Sequence, residues 1–253
     1  MAAQNIEEVL VLLEGIIADY RARRSPLAYF PALYRAVTLR VKGGIARGEF
    51  EDGARMDRFD TLFANRYFAA LDALRGGVGA AVPKAWRVAF GAETRAKTTI
   101  LQHLLLGVNA HINFDLPFAA SAVAPGAALP GLHADYLAIN AILAAVYDEV
   151  QDVVDRLSPL LHILDHVGGR TDEAIANFSI ATARDEAWHE ATRLNVESGD
   201  QLARSARSLD RRAALIGDRI ILPGAPIGLA FELIARTETA DVAAVTDALL
   251  RVA

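Results

Sequence analysis

Within the stretch GVNAHINFDLP, residues 107–117, two asparagines, a histidine and an aspartate crowd into seven residues of an otherwise apolar run. His111 and Asp115 stand at i and i+4, the spacing at which two side chains on one helix share a metal ion or hydrogen-bond each other. In the first case they form half of a site for one divalent cation; in the second, Asp115 orients His111 as a general base. On a helical wheel Gln102, Asn109 and Asn113 fall on one side, and His103, His111 and Asp115 spread roughly opposite. Polar residues on both sides of an Ala/Leu helix imply a central helix surrounded by others. Each buried amide or imidazole then needs a partner, because an unpaired one costs on the order of 1–3 kcal/mol. A structural reading is therefore open beside the chemical one: an Asn/His/Asp network that staples helices, with Asp115 capping the turn before Pro117.

Partners for this motif are sought on three other segments. In NFSIATARDEAWHEATRLN, residues 177–195, Asn177, Arg184, Trp188 and Asn195 share a helix face, while Asp185 and His189 form another i, i+4 pair. Large apolar residues surround Arg184, and a buried guanidinium needs a carboxylate; Asp115 is the expected partner. An Arg–Asp–His cluster of this kind suits an anionic or carbonyl substrate. Tyr136, Asn140 and Tyr147 lie on the flank of another helix and are candidates to line a pocket. Asp60, Asn65, Arg66 and Tyr67 fall close together on a third, with Arg66 a possible cation or a surface ion-pair partner of Asp60 or Asp72. The acidic run YDEVQDVVD places Asp148, Asp152 and Asp155 away from the apolar side of its helix and reads as a solvated face. His162 and His166, with Asp165 between them, have zinc-ligand spacing, but they sit where imidazoles interact with the last turn of a helix.

The elements that must position these groups are helical throughout, because apolar residues recur with a period near 3.6 and no segment alternates over a strand's length. Asn5 with Glu8, Ser25-Pro26, Asp52, Pro83 and Thr171-Asp172-Glu173 read as helix starts; Gly76-Gly77 and Gly168-Gly169 read as stops. The motif helix is expected over about 94–118 and the next over about 133–158. Between them AVAPGAALPGL, about residues 122–132, is an apolar loop with two Pro-Gly breaks. The expected architecture is all-α: one domain over residues 1–253, a bundle of about nine to ten helices around the polar-motif helix.

Composition narrows the function further. The chain is 53% apolar and 23% charged, with a net charge of −5 and no basic block, so a nucleic-acid footprint is not expected. There is no cysteine, which removes disulfides, thiolate metal sites, iron–sulfur ligation and a cysteine nucleophile. No Walker loop, dinucleotide fingerprint, Gly-x-Ser-x-Gly elbow or His-Glu-x-x-His occurs, and so no nicotinamide or flavin signature. The N-terminus lacks a basic n-region, and no uninterrupted apolar run reaches the ~18 residues of a membrane span. A cytoplasmic protein without a transmembrane segment is the expectation.

GVNAHINFDLP, RFDTLFANRYFAAL and ATARDEAWHEA together resemble a family of largely actinobacterial, all-helical proteins of unknown function, marked by a Gly-x-Asn-Ala-His-Ile-Asn-x-Asp-Leu helix. That resemblance implies marked positions at Asn109, His111, Asn113, Asp115, Arg184 and Trp188, and no assigned reaction. The sequence is more weakly similar to the zinc-dependent phospholipase C and nuclease fold, which uses His-x-x-x-Asp and His-x-x-x-Glu helix pairs. Here His111 and Asp115 supply the first, and the second is missing. Three functions follow as expectations. The first is a hydrolase or lyase acting on a small or lipid-like molecule, with His111, Asp115 and Arg184 catalytic, Asn109, Asn113, Asn140, Tyr147 and Trp188 contacting substrate, and one divalent metal at His111 and Asp115 as an option. The second is a non-catalytic carrier of an apolar ligand under the 122–132 loop. The third is a structural module in which the motif only fixes packing. Oligomeric state is not readable from the sequence.

Overall fold

The computed structural model describes residues 1–164 and 180–252. Among them there is no strand, and eleven α-helical stretches occur, two of which are continuous with each other. The sequence expectations at Thr171-Asp172-Glu173, Gly168-Gly169, Asp165, His166 and Asn177 lie outside the described residues.

Helix α1 (Ile6–Ala22) starts where the Asn5 side chain accepts from the Glu8 amide, and buries Val9, Leu13, Ile16, Ile17 and Tyr20 on one face. Ser25 caps a short turn into α2 (Tyr29–Arg47). Asp52 caps α3 (Gly53–Arg75), and Pro83 precedes α4 (Lys84–Gly91). The motif helix begins later than its periodicity suggests. Ala92–Thr94 form a separate 3-10 turn, and a Thr99/Gln102 capping box opens α5 (Ile100–Ala110).

The helix runs past Pro117 to Val123, and Asp115 does not cap a turn there, for a physical reason. Residues His111–Asp115 form one π-helical turn, closed by the Leu116 amide on the His111 carbonyl, and α6 (Leu116–Val123) continues on the far side. Proline at 117 can neither donate to the carbonyl of Asn113 nor tolerate it at α-helical distance. The wider turn absorbs that conflict and lets the helix run on.

The chain then crosses residues 126–132 as 3-10 structure into α7 (His133–Leu157). The apolar 122–132 loop is packed down: Leu129 and Leu132 are buried, and the Asn195 side chain exchanges two hydrogen bonds with the Gly126 backbone. Four further helices follow, α8 (Ile180–Leu194), α9 (Gly199–Ile221), α10 (Ile227–Thr237) and α11 (Val242–Leu249). Taken together, α5, the π turn and α6 are contacted by α2, α3, α4, α8 and α9, so the motif helix is central as expected. Gly107 makes one of these approaches possible, since a Cβ there would run into the Phe30 ring.

One stretch bears on the expectation of no transmembrane segment. Gly126–Leu157 is long and apolar enough to cross a membrane, with a mean hydropathy of 1.3 in its best window. A search for unbroken apolar runs misses it, because Asp135 interrupts the run while an eighteen-residue window tolerates one or two charges. A single such stretch is weak evidence for a span, since core helices meet the same criterion. Here Asp135 is buried, paired with Arg55 at 2.7 Å and accepting the Glu51 and Asp52 amides.

Candidate functional site

The amide stripe of the motif helix is structural. The Asn109 side chain donates to the Ala213 carbonyl at 2.8 Å and accepts from Asn113 at 3.0 Å, while Gln102 donates to the Ile220 carbonyl at 2.7 Å. These bonds tie α5 to α9 along eight residues of each. Neither asparagine lines the large cavity described below, and both take part in a helix staple. Its cause is simple: two amides four residues apart satisfy one another and a neighbouring carbonyl.

The His/Asp stripe is different. His111 Nδ1 lies 3.1 Å from Asp115 Oδ2, and the same oxygen accepts the Trp86 indole N–H at 2.9 Å. Asp115 Oδ1 accepts from Arg66 Nε at 3.1 Å. Three N–H groups therefore converge on one buried carboxylate, and the Arg66 guanidinium, stacked 4.4 Å over the Phe118 ring, supplies its countercharge. A carboxylate in this setting accepts, so His111 carries its proton on Nδ1 and leaves Nε2 with a lone pair. Burial holds the imidazole below its usual pKa, with Asp115 opposing and Arg66 reinforcing the shift, which keeps the ring neutral. Its face stacks on Phe63 with centroids 3.5 Å apart, and Tyr34 meets it edge-on at 4.7 Å. The ring is clamped in one orientation.

This arrangement corrects the expected Arg184–Asp115 pair. Arg184 instead donates from Nε to Asn140 Oδ1 at 2.7 Å and from Nη2 to the Tyr136 carbonyl at 2.5 Å, with its guanidinium 4.2 Å over the Tyr136 ring. Both α3 and α8 pack on α6 and the π turn, but it is Arg66 that reaches the carboxylate, while the Arg184 guanidinium turns to Asn140 and the Tyr136 carbonyl of α7. The same geometry bears on a metal at His111 and Asp115. Their facing atoms are joined by a hydrogen bond and a guanidinium already sits on the carboxylate, a poor donor set for a shared cation. Among the described residues no group of three or more His, Asp or Glu is placed to hold a metal ion.

His111 stands in the wall of a cavity of about 740 Å³. The remaining wall is mostly apolar: Phe30, Leu33 and Val37 of α2, Met56, Phe59 and Phe63 of α3, Leu101, Leu104, Leu105 and Val108 of α5, and Val146, Val150 and Val154 of α7. Lining residues on α7 run from Ile139 to Asp155, about 24 Å along the helix, whereas a sphere of the same volume would be only about 11 Å across. The cavity is thus elongated. Its long walls are antiparallel: α5 begins beside the end of α7, where Glu238 accepts both the Ile100 amide and the Ser158 hydroxyl. Exposed Tyr147, Gln151 and Asp155 also border it.

Polar groups in that wall are few. Among the described residues His111 Nε2 and Asp60 Oδ2 are buried without a hydrogen bond, and Tyr34 Oη and Thr38 Oγ1, one turn apart on α2, have at most each other. Burial, reinforced by the Asp57 charge, pushes Asp60 up to about 7. Burial, with the Asp60 and Asp115 charges, holds the Tyr34 phenol well above its usual value. An unpaired buried polar atom such as His111 Nε2 or Asp60 Oδ2 carries a desolvation cost of about 1–3 kcal/mol.

Of the sequence candidates, the structure brings His111, Arg184 and Tyr147 to the cavity wall. Asp115 stands behind His111, Asn140 holds Arg184, and Trp188 packs on Tyr136 at 4.9 Å and on His133 at 4.6 Å without lining the cavity. The acidic face of α7 is exposed at Asp148, Asp152 and Asp155 as expected. Tyr34, Thr38 and Trp86 were not anticipated as polar groups of the site. Asp60 carried a readable signal: it interrupts the Met56, Phe59, Phe63 stripe, and a carboxylate on the apolar face of a helix calls for a reason. No curated protein and no solved structure matches the chain. Residues 6–223 match a family of unknown function, DUF5995, and the chain belongs to that family.

Proposed function

We propose that this protein is an enzyme that applies general acid–base chemistry, hydrolysis or elimination, to a lipid-like substrate held in the elongated cavity. The observation that carries the reading is His111 itself: a neutral imidazole in the cavity wall, locked by Asp115 through Nδ1, with Nε2 unpaired. That is the constellation of an oriented general base. Nε2 accepts a proton from an attacking water or from a substrate carbon, and Asp115 stabilises the imidazolium that results. Asp60, close to half-protonated near neutral pH, returns a proton to the departing atom. Tyr34 Oη, neutral at all such pH values, is a hydrogen-bond donor to the oxygen on which charge develops.

A carrier is the second reading, favoured by the length and apolar lining of the cavity. It differs from the expectation in place, since no residue of the 122–132 loop lines the cavity. The two readings are separated by turnover. Long-chain esters and long-chain carbonyl compounds with exchangeable α-protons are incubated with the protein in D2O, and hydrolysis or deuterium uptake is followed by mass spectrometry. An enzyme turns over at least one class, and His111→Asn lowers the rate by about 10²–10⁴-fold while still binding the compound. Binding without turnover by the wild type supports the carrier.

A further inference from the structure

Among the described residues, no ion pair compensates the charge of Arg184. Its side chain is buried, 3% exposed, and among the described residues no carboxylate lies within ion-pair distance. The adjacent Asp185 is exposed and acts on it only through space. Two of its nitrogens are spent on neutral acceptors, Asn140 and the Tyr136 carbonyl, and the Tyr136 ring covers one face. This fixes the guanidinium as rigidly as an ion pair would, yet without neutralising it. Nη1 makes none of these bonds, and Arg184 belongs to the cavity wall.

The position of Arg184 along the cavity matters as much as its charge. It shares one end with Ile112, Leu116, Ile139 and Met56, the end nearest His111. A row of rings connects the two groups: His111 on Phe63, Phe63 beside Phe59 at 6.4 Å, Phe59 beside Tyr136 at 6.2 Å, and Tyr136 under Arg184. The opposite end is built from Leu101, Leu104, Leu161, Leu164 and Ile227. The cavity carries the buried cation at one end, and its opposite end is mostly apolar, with Asp155, Ser158 and His162 also on its wall.

We infer that the ligand is a single-chain amphiphile with an anionic head group, held by Arg184, and with its tail along α5 and α7 toward Leu161 and Ile227. This rests on the cavity being the ligand site. A buried cation costs several kcal/mol in the empty protein, and an anionic head group offsets that cost in the complex. Arginine donors favour carboxylate and phosphate alike, and the head-group series below separates the two.

The test is calorimetric or fluorescence-displacement binding of palmitate, hexadecyl phosphate, hexadecanol and hexadecyltrimethylammonium to the delipidated protein. An anion site gives palmitate or hexadecyl phosphate the tightest binding, about tenfold to a hundredfold above hexadecanol, with the ammonium weakest. Arg184→Met removes that advantage while hexadecanol binding, which reports an intact cavity, is retained; Arg184→Lys keeps part of it. Equal binding of all four head groups overturns the anion site and leaves the apolar cavity standing. Failure of all four to bind overturns the cavity reading as well. Should Arg184→Met not fold, the wild-type head-group order and the Arg184→Lys variant decide.

Discussion

Asp60 gives the sharpest physical prediction. Its carboxyl is raised from 3.8 to about 7, first by burial and then by the Asp57 charge. For a group whose folded pKa lies above its unfolded value, protonation favours the folded state. The stabilisation is complete below the unfolded pKa, falls as pH rises through the interval from 3.8 to about 7, and is gone above it. The rise corresponds to a penalty on the order of 4 kcal/mol at pH 8 and about 2 kcal/mol at pH 5. Asp60→Asn keeps the shape and removes the charge. Urea denaturation of delipidated wild type and variant at pH 5 and pH 8 measures the difference. Asp60→Asn is expected to gain about 2–3 kcal/mol relative to wild type on going from the lower pH to the higher. Parallel stability curves would refute the reasoning, since they would mean that Asp60 is ionised at neutral pH and paired, and could not serve as a proton donor.

Three other perturbations follow from the packing. His103, buried beside Tyr29 with its pKa lowered to about 4 by burial, contributes stability that is complete above 6.5 and lost as pH falls toward 4; His103→Leu should remove roughly 3 kcal/mol of acid sensitivity from denaturation curves taken across that interval. Trp86→Phe deletes a donor to the buried Asp115 and should cost about 1.5–3 kcal/mol by urea denaturation, with no loss if the indole N–H is idle. Gly107→Ala drives a methyl group into Phe30, which lines the cavity and meets His111 edge-on at 5.6 Å; it should cost about 1–3 kcal/mol and weaken ligand binding, whereas an unchanged melting temperature would show that Phe30 is free to move.

Most helices were legible because their signals are local. Asn5, Ser25 and Asp52 cap from within a turn of the helices they start, and the buried stripe of α1 is the one its spacing gives, whereas the Thr99 cap of the motif helix was missed. His111 with Asp115 was legible for the same reason, as both stand on one turn. The partners were not legible. Arg66 and Trp86 lie 49 and 29 residues from Asp115, and their arrival depends on how α3 and α4 pack on the motif helix. The helical wheel placed Asn109 and Asn113 on the amide side, but only the third dimension shows that α9 faces them there. The π turn escaped detection because a run of apolar residues at helical period carries no sign of one widened turn, even where the helix passes a proline.

The central claim is that His111 presents a bare Nε2 to a ligand in the cavity. Two-bond 1H–15N NMR of His111 in delipidated protein, before and after palmitate is added, tests it most directly. The account predicts a neutral imidazole protonated at Nδ1 throughout, with the Nε2 resonance shifting on binding. A proton on Nε2 instead, or an Nε2 resonance unmoved by a ligand that binds, would contradict it.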